Sequence, residues 1–130
     1  MTSPHPDTRQ RALIAAGAAS AKKGDDIVVL EVGSIIAIID CFVLVSADNT
    51  RQVRTIVDEV ERAMREHDSS RPIGVEGLDD ATWVLLDYGD IVVHVFLTET
   101  RAFYDLDRLW ADAPREVFDE QAAALPQASR

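Results

Sequence analysis

The stretch that decides the fold is Trp83-Val84-Leu85-Leu86-Asp87-Tyr88-Gly89-Asp90-Ile91-Val92-Val93-His94-Val95-Phe96. Two short apolar runs, 83–87 and 91–96, flank Tyr88-Gly89-Asp90. The runs are rich in β-branched and aromatic residues, and Gly89 supplies the backbone freedom of a tight turn, so the stretch predicts a β-hairpin. Period-two alternation puts His94 on one strand face with Val92 and Phe96. A histidine so placed reads as a core or half-buried group with one hydrogen bond, its nearest partners being carboxylates of the hairpin, rather than as a general base.

Working outward, Ile27–Val32 reads as a strand, Gly33-Ser34 breaks it, and Phe42–Ser46 reads as a second strand after a brief turn or helix. The period then changes to helical: Val53, Ile56, Val57, Val60 and Met64 form one apolar stripe, with Asp48 or Asn49 able to cap the helix and an end near His67. Ile73–Glu76 resumes as a strand, so this span predicts a βαβ unit whose two strands run parallel. Helical turns follow over Glu99–Tyr104 and Leu106–Trp110. The sum is an α/β fold, a single domain with a mixed sheet of about five strands flanked by helices.

With 130 residues, 47% of them hydrophobic and 28% charged, the chain has the size and balance of one globular domain. No apolar run approaches the roughly 18–20 residues a membrane helix needs. Arg9, Arg11 and the alanine-rich run Ala12–Ala19 superficially resemble a secretory leader. A helix opening near Asp7 or Thr8 accounts for the same residues and is the reading adopted. The expected layout is an N-terminal helix or extension over 1–21, the α/β domain over 22–112 and a flexible C-terminal tail over 113–130. Residues 1–6 and the segment after Pro114 are expected to be loose. The lone Cys41 sits among apolar residues and reads as a small buried hydrophobe in a reducing compartment.

Catalytic patterns are largely missing. There is no P-loop, G-x-G-x-x-G or G-x-S-x-G, and one cysteine with three scattered histidines offers no zinc-ligand spacing. Nucleotidyl transfer needs carboxylates converging on metal ions beside a phosphate-gripping Gly-Ser. Gly33-Ser34 supplies half of this; Asp105 and Asp107 diverge on a helix, and a turn separates Asp87 from Asp90. The expectation is a non-enzymatic protein with no metal and no cofactor.

The charge is uneven. Residues 1–75 carry 9 basic and 11 acidic side chains, a net of −2, whereas residues 76–130 carry 4 and 12, a net of −8. Both Trp, both Tyr and three of the four Phe lie in the acidic segment. Such a surface repels nucleic-acid backbones and suits a basic protein partner, with rings supplying contact area and carboxylates steering approach. Phe96 and Phe103 are expected in the core; Trp83, Tyr88 and Trp110 suit either role on the sequence pattern.

The hairpin stretch, continued by Glu99-Thr100-Arg101, Phe103-Tyr104-Asp105-Leu106 and Arg108-Leu109-Trp110, resembles the signature of the ribosomal silencing factor, or Iojap, family. Asp26–Leu30, Arg51–Arg54 and Val75-Glu76-Gly77 extend the resemblance over residues 22–112. It implies a nucleotidyltransferase-like α/β fold without the catalytic carboxylates and a homodimer; the cytoplasmic location is expected separately, because the globular pattern begins close to the N-terminus and Asp7 sits where a transit peptide would avoid acid. The resemblance also implies binding to ribosomal protein L-fourteen of the large ribosomal subunit, which blocks joining of the small subunit and lowers translation under nutrient limitation. By motif position, partner binding falls to Trp83, Asp87, Tyr88, Asp90, His94, Arg101 and Tyr104, with Leu109 and Trp110 as support. A role in large-subunit assembly, or a divergent nucleotidyltransferase, would be the alternatives. The chain departs from the family pattern at Ile35-Ile36-Ala37-Ile38-Ile39 and Ser46-Ala47, positions that bear on dimer contacts and loop shape more than on docking.

Overall fold

The computed structural model describes residues 6–118. In chain order these form α1 (Pro6–Ala21), β1 (Asp25–Glu31), β2 (Cys41–Ala47), α2 (Thr50–Asp68), β3 (Gly74–Glu76), β4 (Trp83–Asp87), β5 (Ile91–Leu97), α3 (Thr98–Tyr104), α4 (Leu106–Leu109) and β6 (Arg115–Val117). The strands make one six-stranded sheet in the order β3-β4-β5-β2-β1-β6. Only β2 and β5 pair in parallel, with Leu44 opposite His94; the other neighbours are antiparallel.

The order follows from the strands' side chains. β2 is buried at every position and β5 at all but its last, so both need cover on two faces and occupy the centre. The three-residue β3 and β6 take the edges, where short strands limit unwanted pairing. The β4–β5 hairpin is present, with Gly89 at φ +91 and the Asp87 carboxylate accepting the Gly89 N–H at 2.8 Å. α2 buries the expected stripe, and Asn49 caps it by accepting the Gln52 N–H at 2.8 Å.

Two expectations are corrected. The sheet has six strands rather than five, because Arg115–Val117 pairs with β1 instead of belonging to a loose tail. Glu31 donates its N–H to the Pro114 carbonyl and Phe118 to that of Ile27, both within 2.9 Å, and Arg9 pairs with Glu116. These bonds carry the domain past residue 112; residues 119–130 and 1–5 lie outside the described residues. The second correction concerns the βαβ unit. β2 and β3 do point the same way, but β4 and β5 lie between them. The longer β5, buried at six of its seven positions, displaces the short, glycine-containing β3 from the centre.

The two faces of the sheet are covered unequally. α1 and α2 pack on one face, over Val29, Val43, Val45, Val84, Leu86, Val93 and Val95. On α1, Ala12, Ala15, Ala16 and Ala19 are fully buried, and their helical spacing turns the leader-like run into a smooth seam for close packing. The other face carries Val28, Leu30, Phe42, Leu44, Val92 and Phe96. Among the described residues its cover is lighter: Leu106 of α4, Trp110, Ala113 and the 33–39 segment with Ile36 and Ile39, together with Arg101 and Tyr104 of the short α3. No described helix is long and apolar enough to cross a membrane.

Candidate docking surface

On the thinly covered face the register aligns Trp83 with Phe96, and Leu85 with His94. Cross-strand neighbours on one face meet side by side, and an aromatic cluster results. Trp83 lies 4.9 Å from Phe96 and 4.9 Å from Tyr104 between ring centroids; His94 stands edge-on to Phe42 at 4.7 Å, and Phe42 edge-on to Trp110 at 5.5 Å. The Trp83 indole N–H donates to His94 Nδ1 at 3.1 Å. This bond requires Nδ1 to be an acceptor, so a neutral His94 carries its proton on Nε2. Burial, which disfavours the charged form, pushes the imidazole down to about 4. Nε2 itself is buried and without a partner among the described residues. His94 is therefore the core histidine with one hydrogen bond that its pattern predicts, but the partner is Trp83 rather than a hairpin carboxylate.

Beside the cluster, α3 and α4 are pinned by Arg101. Its buried guanidinium donates to the Asp26 carbonyl at 2.5 Å, to Ser46 Oγ at 3.0 Å and to both oxygens of Asp107 at 3.1 and 3.0 Å. Arg115 donates to Asp107 at 2.9 Å. Burial alone would raise the Asp107 carboxyl, but the bonds from Arg101 and Arg115 hold it below the usual carboxylate range. This fork to one carboxylate fixes how the short helices lie. They leave Phe103 80%, Leu109 70% and Tyr104 52% exposed. Phe103 is thus a surface ring and not the core residue expected: α3 turns it away from the sheet while Arg101 takes the inward position.

The remaining residues of the motif go elsewhere. Tyr88 is buried against the α1 side of the sheet, with the Arg11 guanidinium 5.7 Å from its ring centroid. Burial raises its phenol to about 12. Asp90 accepts from Thr8 at 2.9 Å and from Arg11 at 3.1 Å, and Arg11 also pairs with Asp68. These bonds tie α1 to the hairpin turn and to the end of α2. The register places Asp87 opposite Val92, on the aromatic face, so Asp87 and Asp90 do not converge. Among the described residues no three His, Cys, Asp or Glu side chains gather as a metal site would require. Cys41 is buried, and its thiol is pushed to about 12 by that burial and by Glu31, Asp40 and Asp90, so it carries no thiolate.

Trp83, His94, Tyr104 and Trp110 are thus brought together; Leu109 lies beside them on α4, Arg101 underpins them, and Tyr88 and Asp90 face away. Sequence reasoning missed Phe42, whose ring joins His94 to Trp110, because only the β2–β5 register reveals that meeting. It also missed Glu76 and Leu85, which flank Trp83. Ile35 and Ile38, 52% and 81% exposed, extend the apolar surface at the opposite end of this face. The isoleucine run singled out in the sequence for its bearing on dimer contacts is thus split: Ile36 and Ile39 pack on the sheet, whereas Ile35 and Ile38 stay exposed.

Comparison with known proteins agrees with this architecture. The family profile "Ribosomal silencing factor during starvation" matches residues 5–130. The ribosomal silencing factor RsfS of Bacillus subtilis is 38% identical over 106 residues, covering 82% of this chain and 89% of that protein. The mouse protein named "Mitochondrial assembly of ribosomal large subunit protein 1" is 33% identical over 103 residues, 77% of this chain and 43% of its own length. A crystal structure from Chromobacterium violaceum superposes with a TM-score of 0.76 at 31% identity, covering 79% of this chain and 85% of that one. The chain belongs to the ribosomal silencing factor family.

Proposed function

We propose that this protein represses translation by docking its thinly covered sheet face on a basic protein of the large ribosomal subunit, ribosomal protein L-fourteen. There its bulk blocks joining of the small subunit when nutrients are scarce. The observation that carries this reading is the aromatic face itself: one side of the sheet is sealed by two long helices, while the other leaves Trp83, Tyr104 and Leu109 at an acidic surface. Such a face is incomplete without a partner. Binding alone shifts the subunit equilibrium by mass action, so no chemical step is required. The fold, on this reading, is a nucleotidyltransferase-like one that binds rather than catalyses, in the cytoplasm. The factor associates as a homodimer, for which Ile35 and Ile38 offer apolar area.

Within the motif, Trp83, Tyr104, Leu109 and Trp110 make the contact area and Asp87 the rim. His94 and Arg101 hold the rings and short helices in place, and Tyr88 and Asp90 secure the hairpin from behind. Trp83→Ala should weaken cosedimentation with purified large subunits by about 2 kcal/mol or more, as for a central anchor. Tyr88→Phe should leave it unchanged. Undiminished binding by Trp83→Ala would refute the assignment of this face. The name of the mouse relative favours a second reading, assistance in large-subunit assembly. Depletion separates the two: precursor accumulation indicates assembly, and premature subunit joining during starvation indicates silencing.

A further inference from the structure

At the β3–β4 edge of the aromatic face, Glu76, Gly77, Trp83 and Leu85 line a hollow of about 320 Å³. The register sets Glu76 opposite Leu85 and Leu85 opposite His94, so Glu76, Leu85 and His94 form one row across the face. Gly77 closes the hollow against the strand. It sits at φ +89, and a Cβ there would fall 2.1 Å from the Trp83 carbonyl oxygen, so only glycine lets the backbone come this close.

The walls have a definite chemistry: an indole, an aliphatic side chain and one exposed carboxylate. Among the described residues no cation of this chain pairs with Glu76. A long cationic side chain uses all three walls at once. Its methylenes lie along Leu85, its charge meets the Trp83 ring, and its N–H groups donate to Glu76. An anion would be repelled. A purely apolar ligand would strip water from Glu76 without replacing it.

Resting on the docking reading above, we propose that this hollow is the subsite for one lysine or arginine side chain of the basic ribosomal protein, with Glu76 as its specificity-determining partner. The charge complementarity of a segment with net −8 favours that source over a second copy of this acidic chain.

The test titrates isolated large ribosomal subunits with the full-length protein, comparing wild type, Glu76→Gln and Asp58→Asn. Asp58 lies exposed on α2, which packs on the opposite face, so its variant removes the same charge away from the hollow. Glu76→Gln is expected to bind about tenfold more weakly and Asp58→Asn within about twofold of wild type. Wild-type binding with an unaffected Glu76→Gln overturns the subsite alone, as do equal losses in both variants, which would reduce Glu76 to general steering. A Glu76→Gln effect confined to self-association in sedimentation assigns the hollow to a second copy and overturns the proposal. No binding by wild type overturns the docking reading, and the subsite falls with it.

Discussion

At the scale of single residues, His94 illustrates how burial converts a titratable group into a structural one. Its imidazole must stay neutral to accept the Trp83 N–H at Nδ1, and burial lowers its pKa from the ordinary 6.5 to about 4. Between those values the unfolded chain takes up a proton that the native state refuses. Stability is therefore fully present above pH 6.5 and is lost as the pH falls towards 4, by roughly 3 kcal/mol. Urea unfolding at pH 7 and pH 4.5 should show this loss in wild type, and His94→Gln should show a smaller one. Equal pH dependence in the two proteins would mean that His94 titrates normally. The carboxylates Asp68 and Asp107, also held below their ordinary range, contribute equally in both and cancel from the comparison.

At the scale of elements, α3 and α4 are too short to be stable by themselves. Their placement rests on the fork from Arg101 to Asp107, reinforced by Arg115. Asp107→Asn keeps the volume but leaves the buried guanidinium without a counter-charge. The expected cost is about 2 kcal/mol, and amide hydrogen exchange should quicken in α3 and α4 more than in β2 and β5. Exchange no faster in α3 than in the central strands would show that packing of Leu106, rather than the ion pair, holds these helices. The same variant should weaken large-subunit binding, since Tyr104 and Leu109 ride on the elements it loosens.

At the scale of the whole molecule, asymmetry is the organising feature. Two helices complete one sheet face, and the charge of −8 over residues 76–130 collects in the segment that builds much of the other. Opposite charges accelerate encounter through long-range attraction, which salt screens over about 10 Å at 0.1 M. The association rate with large subunits should therefore fall as salt rises, while dissociation changes less. A rate indifferent to salt would place binding on the apolar contacts alone.

The hairpin, the amphipathic α2 with its Asn49 cap, the short helical turns and the family motif are legible from the order of residues alone. Each of these is encoded by neighbours within a few residues: a glycine between β-branched runs, a period of 3.6, a capping side chain. The tertiary structure decided what depends on distant partners. It inserted β4 and β5 between β2 and β3, and it recruited Arg115–Val117 as an edge strand although its pattern is too short to read. It also decided which half of the motif stays open: alternation sends Trp83 and Tyr88, five positions apart, to opposite sides, but only the packing of α1 and α2 determines that the Tyr88 side is the one covered. Local periodicity can show that a residue is buried, but which residues share its face is set by register between strands far apart in the chain.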